Sequence, residues 1–237
     1  MPRNQIPSQS KFRNNREKLI SVAVKRDKRV FNIWYAYSTK IGKDLVLKTD
    51  PEYLNFIWLE GDPDVESFEI DTDIFLANQD ESNGATIPDS IVTFRNPNLK
   101  RQWREVKPVE DAQLSDIRDI RQKRIQERIT EELGCDYLRV TPELLKQHWI
   151  FICNWRRAVT WLAAAKNIDY SRYVDEAHTQ IDTKSRVLLR EFISGYSAEE
   201  QPLAIAGMFR CAQSGRIKTD LEKYPIGPTT VLERINE

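Results

Sequence analysis

Two short acidic motifs, about sixteen residues apart, carry the chemistry most readily read from this chain. The first is Ile87-Pro88-Asp89, which leads into the strand-like run Ser90–Phe94. The second is Glu105-Val106-Lys107, inside Trp103–Pro108. Side chains i and i+2 of a strand project to one face, so Glu105 and Lys107 project together. A hairpin between the motifs would bring Asp89 to the same spot. Two carboxylates and one ammonium converging there could hold a divalent metal and an attacking water beside a phosphate. The bland alternative is a surface Glu-x-Lys ladder and an ordinary Pro-Asp turn. Against it, the apolar flanks Ile91-Val92 and Val106 read as partly buried strands, where three charges are costly unless employed.

Glu52 is the candidate third acid. It shares a helix face with Phe56 and Leu59, a face that should pack on the sheet. Thr49-x-x-Glu52 is equally a capping box, in which the glutamate only satisfies a backbone N–H. Both readings stand, and Glu60 at the far end of the helix is a weaker alternative. A basic stretch holds Arg118, Arg121, Arg124 and Arg128, with Arg121, Arg124 and Arg128 along one helix side. These side chains could contact phosphates or pair internally, as Lys123 could with Glu127 at i,i+4. The Trp149, Trp155 and Trp161 series reads as core in preference to a base-stacking platform.

Composition narrows the classes. The 237 residues are 40% hydrophobic and 30% charged, with Lys+Arg and Asp+Glu balanced at 36 each. No apolar run approaches the ~20 residues that span a bilayer, and no signal-peptide core is present, so no membrane role and a cytoplasmic location are expected. Cys135, Cys153 and Cys211 have no zinc-ligand or disulfide spacing, and His148 and His178 are the only histidines. Catalysis would have to run on carboxylates and lysine. Charge is unevenly spread: residues 1–50 hold 12 Lys/Arg against 4 Asp/Glu, and residues 51–100 hold 2 against 11. A basic arm that neutralises phosphates beside acids that collect metal is one reading, and a solvated tail is the other.

The elements that must position these residues follow from turn and cap signals. Residues 1–25 read as a basic flexible arm. Strands are expected at Val30–Tyr37 and Asp44–Leu47. Thr49-Asp50-Pro51-Glu52 starts a helix that stops at Gly61-Asp62-Pro63. Strands near Val65–Ile70 and Ile74–Leu76, a polar loop over 78–86, and the Ser90–Phe94/Gln102–Lys107 hairpin come next. A charged helix over 111–133, a strand Asp136–Val140 and a helix start at Thr141-Pro142-Glu143 complete an α/β unit over residues 26–145. Residues 146–237 change character: an apolar Trp-rich helix over 146–166, a helix from Ser197 to about Ser214, then strand-like Gly215–Leu221 and Ile226–Leu232. That order suggests a mainly helical, winged-helix-like domain.

Asp, hairpin, Glu-x-Lys is the order that metal-dependent nucleases of the restriction-enzyme type need. The run from Glu52 to Val65, with its glutamate, apolar helix and acidic-Pro-x-Val exit, resembles the N-terminal helix motif of TnsA. TnsA is the endonuclease subunit of heteromeric cut-and-paste transposases. Ser67-Phe68-Glu69, Ile87-Pro88-Asp89, Arg104–Pro108 and Gly134–Thr141 follow in the family's order, so the resemblance covers about residues 30–145. It implies an α/β fold with a restriction-endonuclease-like mixed sheet core flanked by helices. It implies Mg²⁺ (or Mn²⁺) held by Glu52, Asp89, Glu105 and the Val106 carbonyl, with Lys107 beside the attacking water. Glu105 stands where the prototype has glutamine, which is nearer the general nuclease pattern. The implied activity is cleavage of the non-transferred strand at the transposon's 5′ ends, on double-stranded DNA in a bacterial cytoplasm. The implied partners are a TnsB-like transposase and a TnsC-like AAA+ ATPase, and the family includes members serving RNA-guided transposons. A stand-alone restriction or repair nuclease, or a non-catalytic adaptor with a decayed core, would share the same core residues.

Overall fold

A computed structural model describes residues 32–70, 76–77, 85–86, 88–107 and 116–235. The basic arm, Ile87 and most of the loop before it, and Pro108 to residue 115 lie outside the described residues. The chain opens with an antiparallel hairpin, β1 (Trp34–Ser38) and β2 (Lys43–Leu47). Helix α1 (Asp50–Gly61) starts where its signals place it: Thr49 accepts from Glu52 N at 3.3 Å, and Pro51 occupies the first turn. It stops where Asp62 N bonds Trp58 O at 3.0 Å, with Pro63 just beyond.

Strands β3 (Val65–Glu69), β6 (Ser90–Phe94), β7 (Gln102–Val106) and β8 (Asp136–Val140) form a mixed sheet in the order β3-β6-β7-β8. The first three pair antiparallel, while β7 and β8 run parallel. Two-residue strands β4 (Leu76–Ala77) and β5 (Ala85–Thr86) pair separately. The parallel crossover needs a helix, and α2 (Asp116–Glu132) supplies it.

Period-2 alternation sorts side chains between two faces. Phe68, Val92 and Val140 join Phe56, Ile57 and Leu59 of α1 in the large core. Ile91 and Trp103 face the other way, onto Ile129 of α2 and Cys135. The sheet thus has a helix on each face, which makes the unit a mixed α/β structure.

The large core continues past residue 146. Helix α3 (Pro142–Gln147) starts at the expected Thr141-Pro142-Glu143 signal and breaks at His148; α4 (Trp149–Ala164) follows, so the apolar helix expected over 146–166 begins at Trp149. Trp155 is 1% exposed and Trp161 stacks on Phe209, but Trp149 is half exposed, which corrects the reading of all three tryptophans as core. Helix α5 (Ser171–Lys184) was not expected from sequence. Its buried residues Tyr173, Ala177 and Ile181 recur every four positions in an otherwise polar run.

A three-stranded sheet, β10-β11-β9, is built from β9 (Arg186–Leu188), β10 (Ile217–Thr219) and β11 (Val231–Arg234), with α6 (Leu189–Ile193) and α7 (Gln201–Gln213). Ser197 and Glu200 bond as the capping signal foresees, yet regular helix begins only at Gln201. The strand expected from Ile226 starts at Val231, because Gly227 and Thr230 close a turn around Pro228. No helix among the described residues is long and apolar enough to cross a membrane.

Two glycines set helix spacings. A Cβ on Gly61 would lie 2.4 Å from the Trp155 ring, and one on Gly207 would lie 2.7 Å from the Tyr173 backbone carbonyl carbon. Gly207→Ala should therefore force α5 and α7 apart and cost about 1–3 kcal/mol. Thermal unfolding should show a drop of several degrees, and an unchanged melting temperature would contradict the close packing.

Candidate active site

The hairpin register decides which charges meet. Ser90 pairs with Arg104, so Asp89 stands opposite Glu105, one step beyond the end of β6. Directly opposed residues of an antiparallel pair share a face. Main-chain bonds fix the arrangement: Asp89 N donates to Arg104 O at 3.1 Å, and Val106 N donates to Asp89 Oδ2 at 2.7 Å. Glu105 and Lys107 project together and form an ion pair through Glu105 Oε1 and Lys107 Nζ. The Tyr137 hydroxyl donates to Glu105 Oε2. Both side chains of the ion pair are largely buried, at 25% and 19% exposure for Lys107 and Glu105.

Electrostatics binds Glu52 to this group. Burial pushes the Asp89 carboxyl from 3.8 up to about 6, and the charges of Glu52 and Glu105 push the same way. The Val106 N–H bond and the Lys107 charge pull back. Glu52 also makes a cap-type bond, its Oε2 accepting from Lys48 N at 2.9 Å. The structure thus gives Glu52 a capping contact and a place near Asp89 at once. Glu60 goes elsewhere: it is fully buried and bonded by Ser38, Thr39, Lys40 and Gln213.

The donor set suits a hard divalent cation. It consists of carboxylate oxygens beside a strand end that offers main-chain carbonyls, in a place where one carboxyl resists ionising alone. Among the described residues, no three His, Cys, Asp or Glu side chains already form a complete ligand group.

No family model and no curated protein matches this chain. The site therefore rests on its own geometry.

The basic stretch lies on α2. Arg128 Nε pairs with Glu132 at 2.7 Å, the internal i,i+4 arrangement. Arg124 is exposed, and the side chains of Arg118 and Arg121 lie outside the described residues.

Two residues of β8 were not singled out from sequence. Tyr137 stands opposite Trp103 and reaches diagonally to Glu105, while Arg139 stands opposite Glu105 itself. Their i, i+2 spacing on an expected strand was visible, but which strand β8 would join was not.

The raised Asp89 pKa has a stability consequence. Between about 3.8 and about 6 the folded chain holds a proton that the unfolded chain releases, so stability falls as pH rises through that window. Asp89→Asn keeps an acceptor for Val106 N–H and removes the charge. In metal-free buffer it should melt higher than the parent at pH 7 and lose the decline between pH 4 and 6. Parallel melting curves for parent and variant would show that Asp89 ionises without penalty.

Proposed function

We propose that this protein is a Mg²⁺-dependent DNA endonuclease acting as a TnsA-like subunit of a heteromeric transposase. The observation that carries the reading is the meeting of Asp89, Glu105 and Lys107 at one end of the β6–β7 hairpin, with Asp89 resisting ionisation. The motif order from Glu52 to Thr141 supports the finer assignment to a restriction-endonuclease-like core. The helices and small sheet after residue 146 are compatible with a winged-helix-like partner-docking unit.

Asp89, Glu105 and the Val106 carbonyl would hold Mg²⁺, with Glu52 nearby and Mn²⁺ as a substitute. The ion would supply divalent charge to polarise a phosphoryl oxygen. Lys107 orients the attacking water and offsets negative charge growing on the phosphate. Tyr137 fixes the second oxygen of Glu105, so the carboxylate keeps one orientation. Hydrolysis leaves a 3′-hydroxyl and a 5′-phosphate. The cut falls on the non-transferred strand at the transposon's 5′ ends, a TnsB-like transposase joins the other strand, and a TnsC-like ATPase docks on the C-terminal part.

Incubating the chain, with its TnsB-like partner and transposon-end duplexes, in Mg²⁺ should give 5′-end nicks. Asp89→Ala or Lys107→Ala should reduce them by at least about 10²-fold, while circular dichroism stays that of the parent. Full activity in Lys107→Ala would remove the nuclease reading.

Glu52→Gln separates that residue's two roles. Glutamine can still accept from Lys48 N, so the melting temperature should hold within a few degrees while cleavage is lost. Normal cleavage by this variant would leave Glu52 as a cap alone.

A further inference from the structure

Strand β8 places a second cation against the site. Arg139 lies directly across from Glu105 in the parallel β7–β8 pairing, on the face that also carries Trp103 and Tyr137. Glu105 is the obvious partner for such an arginine, yet the two do not pair. Glu105 bonds Lys107 through one oxygen and Tyr137 through the other. Arg139 Nε is buried and has no hydrogen-bond partner, and among the described residues its guanidinium forms no ion pair.

The neighbouring arginine shows what a structural role looks like in this sheet. Arg104, on the opposite face, is 3% exposed and satisfied. Its Nε donates to Gln102 Oε1 at 2.8 Å, its Nη1 to Asn55 Oδ1 at 3.1 Å, and its Cζ lies 4.5 Å from the Trp58 ring centre. Arg139 has none of this. A buried donor without an acceptor is costly, so no hydrogen bond to Nε holds this guanidinium, and the outer nitrogens of the half-buried side chain are the ones an incoming anion could meet. Tyr137, two residues before Arg139 on the same face of β8, bonds Glu105, so the guanidinium stands on the strip of sheet that carries the carboxylates.

We propose that Arg139 is the phosphate-gripping arm of this site, taking a non-bridging oxygen pair of a nucleic-acid phosphodiester. A guanidinium presents its donors as a planar fork that fits such an oxygen pair, which an ammonium cannot do. Lys107 is already committed to Glu105, so the two cations divide the work: Lys107 serves the attacking side and Arg139 holds the backbone. The nature of the anion rests on the nuclease reading, whereas the presence of an anion site does not.

The test measures binding without catalysis. A short fluorescent DNA duplex is titrated in metal-free buffer across a salt series, with the parent, Arg139→Gln and Arg139→Lys. Arg139→Gln should bind about tenfold more weakly and flatten the slope of log affinity against log salt by about 0.9, the signature of one lost phosphate contact. Arg139→Lys should keep the slope and lose part of the affinity. Loss of packing alone would not change the salt slope. Parent affinity and slope in Arg139→Gln overturn the proposal, as does a parent that does not bind the duplex at low salt. If the glutamine variant does not fold, Arg139→Lys decides: weakened affinity at parent slope supports the fork, and parent affinity overturns it. Mg²⁺-dependent cleavage, measured alongside, keeps the two readings apart. Cleavage by the parent with unchanged binding in Arg139→Gln sinks the arginine's role and leaves the nuclease standing. No cleavage by the parent, with affinity and slope both reduced in Arg139→Gln, does the reverse.

Discussion

The buried carboxylate of Glu60 is the contact that fixes the helix carrying Glu52. It is 0% exposed and accepts from Ser38 Oγ at 2.6 Å, Thr39 N at 2.8 Å, Lys40 N at 3.0 Å and Gln213 Nε2 at 2.8 Å. These donors come from the β1–β2 hairpin and from α7, while Glu60 itself belongs to α1. One carboxylate therefore ties three elements that are distant in sequence. A buried charge is tolerated only when its hydrogen bonds are complete, so the three cannot shift independently. The Lys40 ammonium adds bonds to the Leu59 and Asp62 carbonyls at the end of α1, and burial brings its pKa down to about 7. Glu52 lies two turns back on the same helix, about 12 Å along its axis. Fixing one end of α1 fixes where the other end presents Glu52.

Strand β7 carries the second constraint. Its successive residues Arg104 and Glu105 point to opposite faces, one into a polar pocket under α1 and one toward Tyr137. A slip of one residue would exchange them, placing a carboxylate against Asn55 and Trp58 and a guanidinium where Lys107 now pairs. Apolar alternation alone would tolerate that slip at the strand end, where Val106 and Lys107 are both half-buried. The two buried charges make it prohibitive. The polar contacts that hold the sheet in register are thus the same ones that aim the site.

How far the sequence revealed this depended on whether a signal was local. The α1 cap, the stop at Gly61-Asp62-Pro63, the β6–β7 hairpin and the Glu-x-Lys face are all written within a few residues, and the structure has them. Helix α5 escaped because only Tyr173, Ala177 and Ile181 mark its buried side, and their partners on α7 lie some thirty residues on. The break at His148 escaped because nothing in its neighbours is a helix breaker; the ring stacks on Trp58 at 4.2 Å instead. Glu60 read as a spare acid because its donors, at Ser38 and Gln213, are invisible to local spacing. Tyr137 and Arg139 were legible as strand residues, but their relation to Glu105 depends on β8 pairing parallel with β7, a long-range outcome.

The candidate site combines a rigid backbone with an unfavourable charge distribution. Asp89 is located by two main-chain bonds to β7, through its own N–H and through the Val106 N–H. Its position opposite Glu105 therefore does not depend on its being charged. Burial and two neighbouring acids oppose its ionisation, while Lys107 and the Val106 N–H favour it. Such a group gains most from an added cation, because the cation removes a penalty that the backbone will not relax by moving. Arg139 shows the same pattern with the opposite sign, a cation held by the sheet without an acceptor for its buried nitrogen. A frame tied down at Glu60 and Arg104 can keep both charges in place. The two groups flank Glu105 from the neighbouring strands, an acid whose ionisation is opposed and a cation whose buried Nε has no acceptor.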